Sequence, residues 1–539
     1  MREKLKYLVG LKILLSLTVI LYLIPTPVAG AENPIVIYSS QNFVTLNPLA
    51  TNDVYSGYVI DAIFDELLYL DPETQQPKPY LAESWEFSKD RCEIIFHIKR
   101  GVKAHNGEKI NAEDVAFTFN WVINPINFSP NASQFGWLEK VQVLDEYSAK
   151  FVVKPQSCPF PLALQSQTFP VVPKDTFQSM GEEDFGQNPV GSGPFRFVEW
   201  EREDHVTLIK NETYWLKEPR LEKVIFRPVS EPARVVSDLK KGKVDIVDSL
   251  PAEAIPELRT REDIDVRQEP SLSYFYLGFN ISRPPYSDIR FRKAVYYSTD
   301  FDAAVHNIFN GLTAIRAYGA VPPAIWANDR RYLANRIALP ENDELARNLF
   351  EILREEGVML ADFSPKIYCP PDVHREKLGR EVASNLRDHG IDAQVKVLKW
   401  DPLLQLLRRS IIDPSGRYGM YILGWSGNLD PSSFLYYLFG SQNARIETGN
   451  NLSFYKNTHV DDLLNRAAKT SDRKIREEAY VQAQRIIMED YVHIPAYHYV
   501  ETRGVRSRVR GYRIDPISPM SLVDPETNVW LGSSATFYS

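Results

Sequence analysis

Apolar positions along this chain fall into short runs punctuated by turn residues. Ile35 to Tyr38 (IVIY) has the pattern of a buried strand, and Ser39, Ser40 and Asn42 follow at its C-terminal end. The stretch from about Tyr55 to Leu68 predicts a helix, closed by an Asp71-Pro72 turn. Ile94 to Ile98 alternates as a strand, Lys99 to Gly107 carries a Gly-centred turn, and Asn111 precedes a helix from Ala112 as its cap. Phe195 to Glu199, His205 to Lys210 and Leu221 to Val229 read as strands, Arg234 to Lys241 as a helix, and Val244 to Val247 as a short strand. Lys366 to Val397 reads as a βαβ-like unit: an amphipathic helix from about Arg375 to Arg387, Gly390 past its end, then a strand Ala393 to Leu398. Strands separated by helices predict a mixed α/β fold. In open sheets of that class ligands bind beyond the carboxyl ends of the strands, which makes Ser39, Ser40 and Asn42 candidate contacts.

The first 31 residues follow a different pattern. Arg2, Lys4, Lys6 and Lys12 precede an apolar run from Ile13 to Ile24, and Ala29-Gly30-Ala31 supplies a small-residue exit. This is the layout of a secretory signal, too short in its apolar part to span a bilayer comfortably; the alternative is an uncleaved anchor. No Cys precedes Cys92, so a lipid anchor at the new N-terminus is not expected. Such a protein needs an outer membrane to retain it, which predicts a periplasmic address. The leader carries four basic residues and one acidic, so its removal takes the formal net charge from −8 to −11 over 508 residues. That length supports two or three domains. An acidic chain with 12% aromatic residues is suited neither to nucleic acid nor to an anionic membrane surface.

Cys92, Cys158 and Cys369 are the only cysteines. In an oxidising compartment Cys92 and Cys158 are the pair to consider for a bridge, against three buried free thiols. The nine histidines are scattered, His493 and His498 being five apart, and none shows metal-ligand spacing. No cofactor is expected. Gly424-Trp425-Ser426-Gly427-Asn428 lacks the last glycine of a nucleophile elbow, and Ser192 between Gly191 and Gly193 has no base assignable from sequence.

Four blocks in order carry a resemblance. They are Pro79-Tyr80-Leu81-Ala82-Glu83-Ser84-Trp85 with the strand, turn and helix behind it; Tyr274 to Asn280 leading into Pro284-Pro285-Tyr286-Ser287-Asp288-Ile289-Arg290; the unit Lys366 to Val397; and Tyr421 to Asp430 followed by Pro431 and Phe434. Together the sequence resembles family 5 of the extracellular solute-binding proteins, receptors that feed ABC importers for dipeptides, oligopeptides, nickel complexes or oligosaccharides. The resemblance implies an α/β, two-lobed periplasmic binding protein of type II, cluster C-like, with an extra inserted lobe and a hinge. Its parts would be a signal peptide 1–31, base lobe 32–75 and 189–270, inserted lobe 76–188, second lobe 271–504, and a return to the base at 505–539. The chain would cross between lobes near Glu269 and near Thr502.

The resemblance further implies a monomer that holds a small peptide or other solute and hands it to an inner-membrane ABC permease, with no catalysis. Implied ligand contacts are Trp425, Gly427, Asn428 and Asp430, with one face of Tyr274 and Tyr276 lining the cleft. Two departures stand out. Dipeptide binders clamp the ligand's ammonium with an acid where this chain has Asn428, so Asp430 would have to substitute. They also grip the carboxylate with an Arg where this chain has Cys369, which puts Cys369 among the implied ligand contacts. Arg290 and Arg292, beside Asp288, read as surface ion pairing more readily than as ligand contacts. Oligopeptides are the expected ligand; a non-peptide solute such as an oligosaccharide or nickel chelate, and a secreted hydrolase with a triad assembled from distant residues, are the alternatives.

Overall fold

The computed structural model describes residues 34–155, 169–337, 342–360, 362–409, 419–446, 449–470, 472–514 and 520–532. The leader 1–31 and Cys158 therefore lie outside the described residues. Among those described, no helix is long and apolar enough to cross a membrane.

A twelve-stranded mixed sheet organises the chain from Ile35 on. Its strands are β1 (Ile35–Ser39), β2 (Phe195–Glu201), β3 (His205–Lys210), β4 (Lys223–Pro228), β5 (Ile246–Val247), β6 (Ile264–Pro270), β7 (Ser273–Phe279), β8 (Ala314–Arg316), β9 (Lys366–Cys369), β10 (Gln394–Val397), β11 (Met420–Ser426) and β12 (His493–Arg506). They run in the order β10-β9-β11-β7-β12-β5-β1-β4-β3-β2, with β6 and β8 also paired to β12. β1 lies parallel between β4 and β5, and β9 parallel between β10 and β11. These two parallel cores belong to different halves of the molecule.

β12 joins the halves. Its 14 residues pair first with β7 and β8 of one half, then from Val500 on with β6, and at Gly504 and Val505 with β5. The second passage is the link between β6 and β7, residues 270–273. The two passages bond to each other: Ser271 N–H donates to the Tyr499 carbonyl at 2.9 Å, Tyr499 N–H to Ser273 Oγ at 3.1 Å, and Gln268 Nε2 to Thr502 Oγ1 at 3.0 Å. The apolar cores divide accordingly. One, around Tyr274, Phe291, Tyr421 and Val492, fills the second half. Another runs from Ile37, Phe64 and Phe195 of the base into Phe96, Phe119 and Phe151 of the insertion.

The insertion follows its sequence pattern. Ile94, Phe96 and Ile98 point inward from an antiparallel sheet whose strands pair in the order 82–87, 93–98, 148–153, 138–145. Phe119 from the helix Ala112–Ile123 packs edge-on against Phe151 at 4.9 Å. Asn111 and Asp114 close that helix's N-terminus reciprocally, Glu113 N–H donating to Asn111 Oδ1 at 2.7 Å and Asn111 N–H to Asp114 Oδ2 at 2.8 Å. Cys92 is disulfide-bonded, and Cys369 is a buried free thiol.

One predicted helix is shorter than expected. It spans Val54–Ile63, not 55–68, and Leu68–Leu70 is a strand paired with Pro77–Pro79. The apolar run continues past Ile63, but Asp65 interrupts it as a buried hub. Its carboxylate accepts from Tyr80 and Tyr214 hydroxyls at 2.9 and 2.7 Å, Ser192 Oγ at 2.8 Å and Trp215 Nε1 at 2.7 Å. A helical turn through Asp65 would pull it away from these donors. In the turn that follows, Gln75 adopts a left-handed conformation (φ 54°). Its amide bonds the backbone of the second half: Nε2 donates to the Ala324 carbonyl, and Oε1 accepts from Trp326 N–H at 3.1 Å.

Gly191 and Gly193 explain the Gly-Ser-Gly motif. A Cβ on Gly193 would lie 2.6 Å from the carbonyl carbon of Ile63, a backbone atom that cannot rotate away. We predict that Gly193→Ala lowers stability by about 1–3 kcal/mol, measured as a shift of the urea midpoint; an unchanged midpoint would show that the helix end can yield.

Candidate functional site

Two loops, one from each half, meet the two passages between the halves. At the base, β1 and β5 end side by side, and Leu250 N–H just beyond β5 donates to the Thr502 carbonyl of β12 at 3.1 Å. In the second half β11 runs out at Ser426, and Gly427 N–H donates to the Leu272 carbonyl in the β6–β7 link at 3.2 Å. Both loops leave the carboxyl ends of their strands, where α/β sheets place ligands.

On the base side Ser39 is fully buried and Ser40 half-buried, while Asn42 is exposed. Ser39 Oγ donates to the Gln41 carbonyl at 2.8 Å. Ser40 donates through both its amide and its hydroxyl to Asp248 Oδ2, at 2.9 and 3.0 Å. Arg503, 1% exposed, stands behind them and binds Glu501 at 3.0 Å and the Tyr512 hydroxyl at 3.2 Å.

On the second side Trp425 is half-buried, its Nε1 donating to the Ser433 carbonyl at 2.7 Å in the helix α1 (Ser432–Phe439). Its ring lies 6.1 Å from that of Tyr437, and Tyr437 is 44% exposed, so the two form an aromatic step that water reaches. Gly427 is compulsory here, because a Cβ would meet Ser433 Oγ at 2.4 Å and the Phe434 ring at 2.6 Å. Asn428 is exposed, but its Oδ1 is turned inward to accept from Asp430 N–H at 2.9 Å.

Four expected contacts are corrected. Asp430 is 1% exposed and its Oδ2 accepts from Arg476 Nη2 at 2.6 Å, while Oδ1 caps α1 at Ser432 N–H, 2.9 Å. That carboxylate is already neutralised and has no face toward a ligand. Tyr274 and Tyr276, 0% and 2% exposed, stack on each other at 4.9 Å, and Tyr276 stacks on His493 at 3.8 Å. They are core. Cys369 at the end of β9 is fully buried, and burial pushes its thiol up to about 11.

The arginines and the buried His498 are held by contacts within the protein. Arg290 pairs with Asp288 and Glu356, each at 2.7 Å; buried Arg292 donates to the carbonyls of Tyr491 at 3.0 Å and Asp490 at 2.7 Å. His498 is buried, and desolvation pushes it down to about 4. Arg375 escaped the sequence reading. It sits in the first turn of α2 (Val373–Asp388), six residues beyond Cys369, half-buried, 5.4 Å above the Phe275 ring and 3.4 Å from Asp372. The signal was available: a basic residue one turn into a helix that starts where β9 ends.

Ser192 is fully buried and donates to Asp65, and both nitrogens of nearby His105 face the backbone of Gly191 and Gly193, at 3.3 and 3.0 Å. These are not the contacts of a nucleophile and its base. Glu201, Asp204 and His205 lie close together on the β2–β3 hairpin, but Arg227 already supplies the cation, 2.6 Å from Asp204.

The family described as bacterial extracellular solute-binding proteins, family 5 (middle part), matches residues 76–445. The chain belongs to this family. The family 5 protein is 26% identical over 503 residues to the probable D,D-dipeptide-binding periplasmic protein DdpA of Escherichia coli, covering 91% of this chain and 94% of that one. Its fold matches HbpA2 of Haemophilus parasuis with a TM-score of 0.80 at 23% identity, over 93% and 100% of the two chains. It also matches the periplasmic binding protein DppA of Helicobacter pylori in complex with the peptide STSA, with a TM-score of 0.70 at 25% identity, over 92% and 98%.

For the buried pair we predict that Asp430→Asn costs about 3–5 kcal/mol of folding stability by leaving Arg476 uncompensated. Denaturant unfolding checks this, and a loss under about 1 kcal/mol, the worth of an exposed pair, would return Asp430 to the list of open anions.

Proposed function

We propose that this family 5 protein captures peptides between its two halves and presents the closed form to an inner-membrane ABC permease. The observation that supports the reading is the pair of segments, Asp248–Leu250 with Ser40 bonded to it and Trp425–Asn428, each tied by a backbone hydrogen bond to one of the two passages. Rotation about residues 270–273 and 499–502 brings such loops together or apart, so ligand contact and hinge angle are one variable. Ligand shifts the balance only through better contacts in the closed form.

Each loop has a distinct task in this reading. Peptide backbone pairs with the strand ends at Ser39 to Asn42 and Gly427 to Asn428, which tolerates varied side chains. Trp425 and Tyr437 offer a surface for an apolar side chain. Arg375 takes the part of the carboxylate clamp that Cys369 cannot play, with Asp372 holding it in place. Residues 1–31 direct export, the mature chain begins at Glu32 without an acyl group, and the protein works as a monomer with the base, insertion and second-lobe boundaries set out above.

The sealed Asp430 favours one competing reading, a non-peptide solute. Native mass spectrometry after incubation with a peptide mixture decides between them: intact peptides are expected to remain bound, and retention of none would transfer the site to the other class. With a retained peptide in hundredfold excess over its Kd, stability is expected to rise by about 2.7 kcal/mol and the radius of gyration to fall. An unchanged small-angle scattering profile would refute closure. Arg375→Gln is expected to weaken peptides with a free C-terminus by about 1.5–3 kcal/mol and to leave C-terminally amidated peptides unaffected in calorimetric titration; equal losses on both would remove Arg375 from the clamp.

A further inference from the structure

We infer that Asp248, held in place by Ser40, is the anion that receives the ammonium group of the ligand. The inference rests on the peptide reading above and moves the amine clamp from the second half, where sequence comparison looks for it, to the base.

Asp248 is the first residue past β5, and its N–H donates to the Tyr38 carbonyl of β1 at 3.1 Å. It stands at the carboxyl edge of both strands, two residues before Leu250 bonds the Thr502 carbonyl of the passage. Its two oxygens are used unequally. Oδ2 accepts both Ser40 donors, at 2.9 and 3.0 Å, while among the described residues Oδ1 accepts no hydrogen bond. An ionised carboxylate has room for about four donors, so one half of this group is fixed by the protein and the other half is open.

Asp248 has no ion-pair partner among the described residues. Arg503, whose charge acts on it, is already paired with Glu501 at 3.0 Å. Across the cleft the acids have partners: Asp430 is paired with Arg476 at 2.6 Å, and Asp372 with Arg375 at 3.4 Å. A cation therefore gains more on the base side than opposite. Burial raises the Asp248 carboxyl, and the Ser40 donors and the Arg503 charge oppose that rise. A primary ammonium, with three donors on one atom, suits an open carboxylate oxygen better than a planar guanidinium that needs two.

The ammonium can come from a peptide's α-amino group or from a lysine side chain. A random tetrapeptide pool is therefore compared with the same pool acetylated at α-amino groups only, and with a pool acetylated at α-amino and lysine amino groups. Wild type is expected to retain the free pool best. Asp248→Asn, which keeps an acceptor for Ser40, is expected to lose that preference by roughly ten- to a hundredfold. Ser40→Ala, which leaves the charge but frees it to move, is expected to lose part of it. If the preference survives α-acetylation and disappears only with lysine acetylation, the lysine side chain is the source. Thermal melting of each variant establishes that it is folded, and should Asp248→Asn not fold, Ser40→Ala alone decides. Unchanged preference in the folded variants overturns the inference while leaving peptide capture intact; a wild type that retains none of the pools overturns both.

Discussion

Everything in this molecule is arranged around a strand that belongs to two domains at once. β12 cannot shift register in one half without shifting it in the other, because the same backbone is bonded to β7 and β8 at one end and to β6 and β5 at the other. A one-residue slip would turn every inward side chain outward in both cores. The strand is thereby fixed in translation, and the freedom left to it is twist and bend near Tyr499 and Val500, where its partners change. The β6–β7 link lies against that point and is bonded to it through Ser271 and Ser273. Two adjacent, cross-bonded passages restrict the relative motion of the halves to a narrow path, and loops tied to those passages follow it.

Polar hubs set the limits of the apolar pattern. Asp65 ends a helix that hydrophobicity alone would continue, because four neutral donors converge on it from distant segments. Asp430 stabilises the start of α1 and neutralises Arg476, whose guanidinium lies 5.2 Å from the Trp326 ring. Each carboxylate is buried with its lone pairs used, as burial requires. Asp248 differs from both in having one oxygen spoken for and one not, and that contrast within a single chain separates a structural acid from a recognition acid more clearly than sequence position does.

Periodicity and turn chemistry made the local elements legible: the alternation through Ile94 to Ile98 and the Asn111 cap read correctly because neighbours a few residues away determine them, whereas Gly191 and Gly193 are required by the distant backbone of Ile63. The Gly-Trp-Ser-Gly segment lies at the end of β11, where its glycines are required by Ser433, Phe434 and the Phe275 ring. What sequence could not convey is which acid is already paired. Asp430 meets Arg476 across 46 residues, Ser40 meets Asp248 across 208, and Gln75 meets Ala324 across 249. Tyr274 and Tyr276 misled for a related reason: alternation in a strand separates two faces, but Tyr274, Phe275 and Tyr276 are all buried, so exposure does not distinguish the faces here.

The Gln75 turn ties the two halves together without any part of a ligand. Its amide satisfies a carbonyl and an N–H of the opposite half at the same time, from a backbone conformation that glutamine adopts only when its surroundings hold it there. A contact of that kind adds its free energy to whichever arrangement of the halves contains it, so it weighs on the balance between arrangements whether or not a ligand is present.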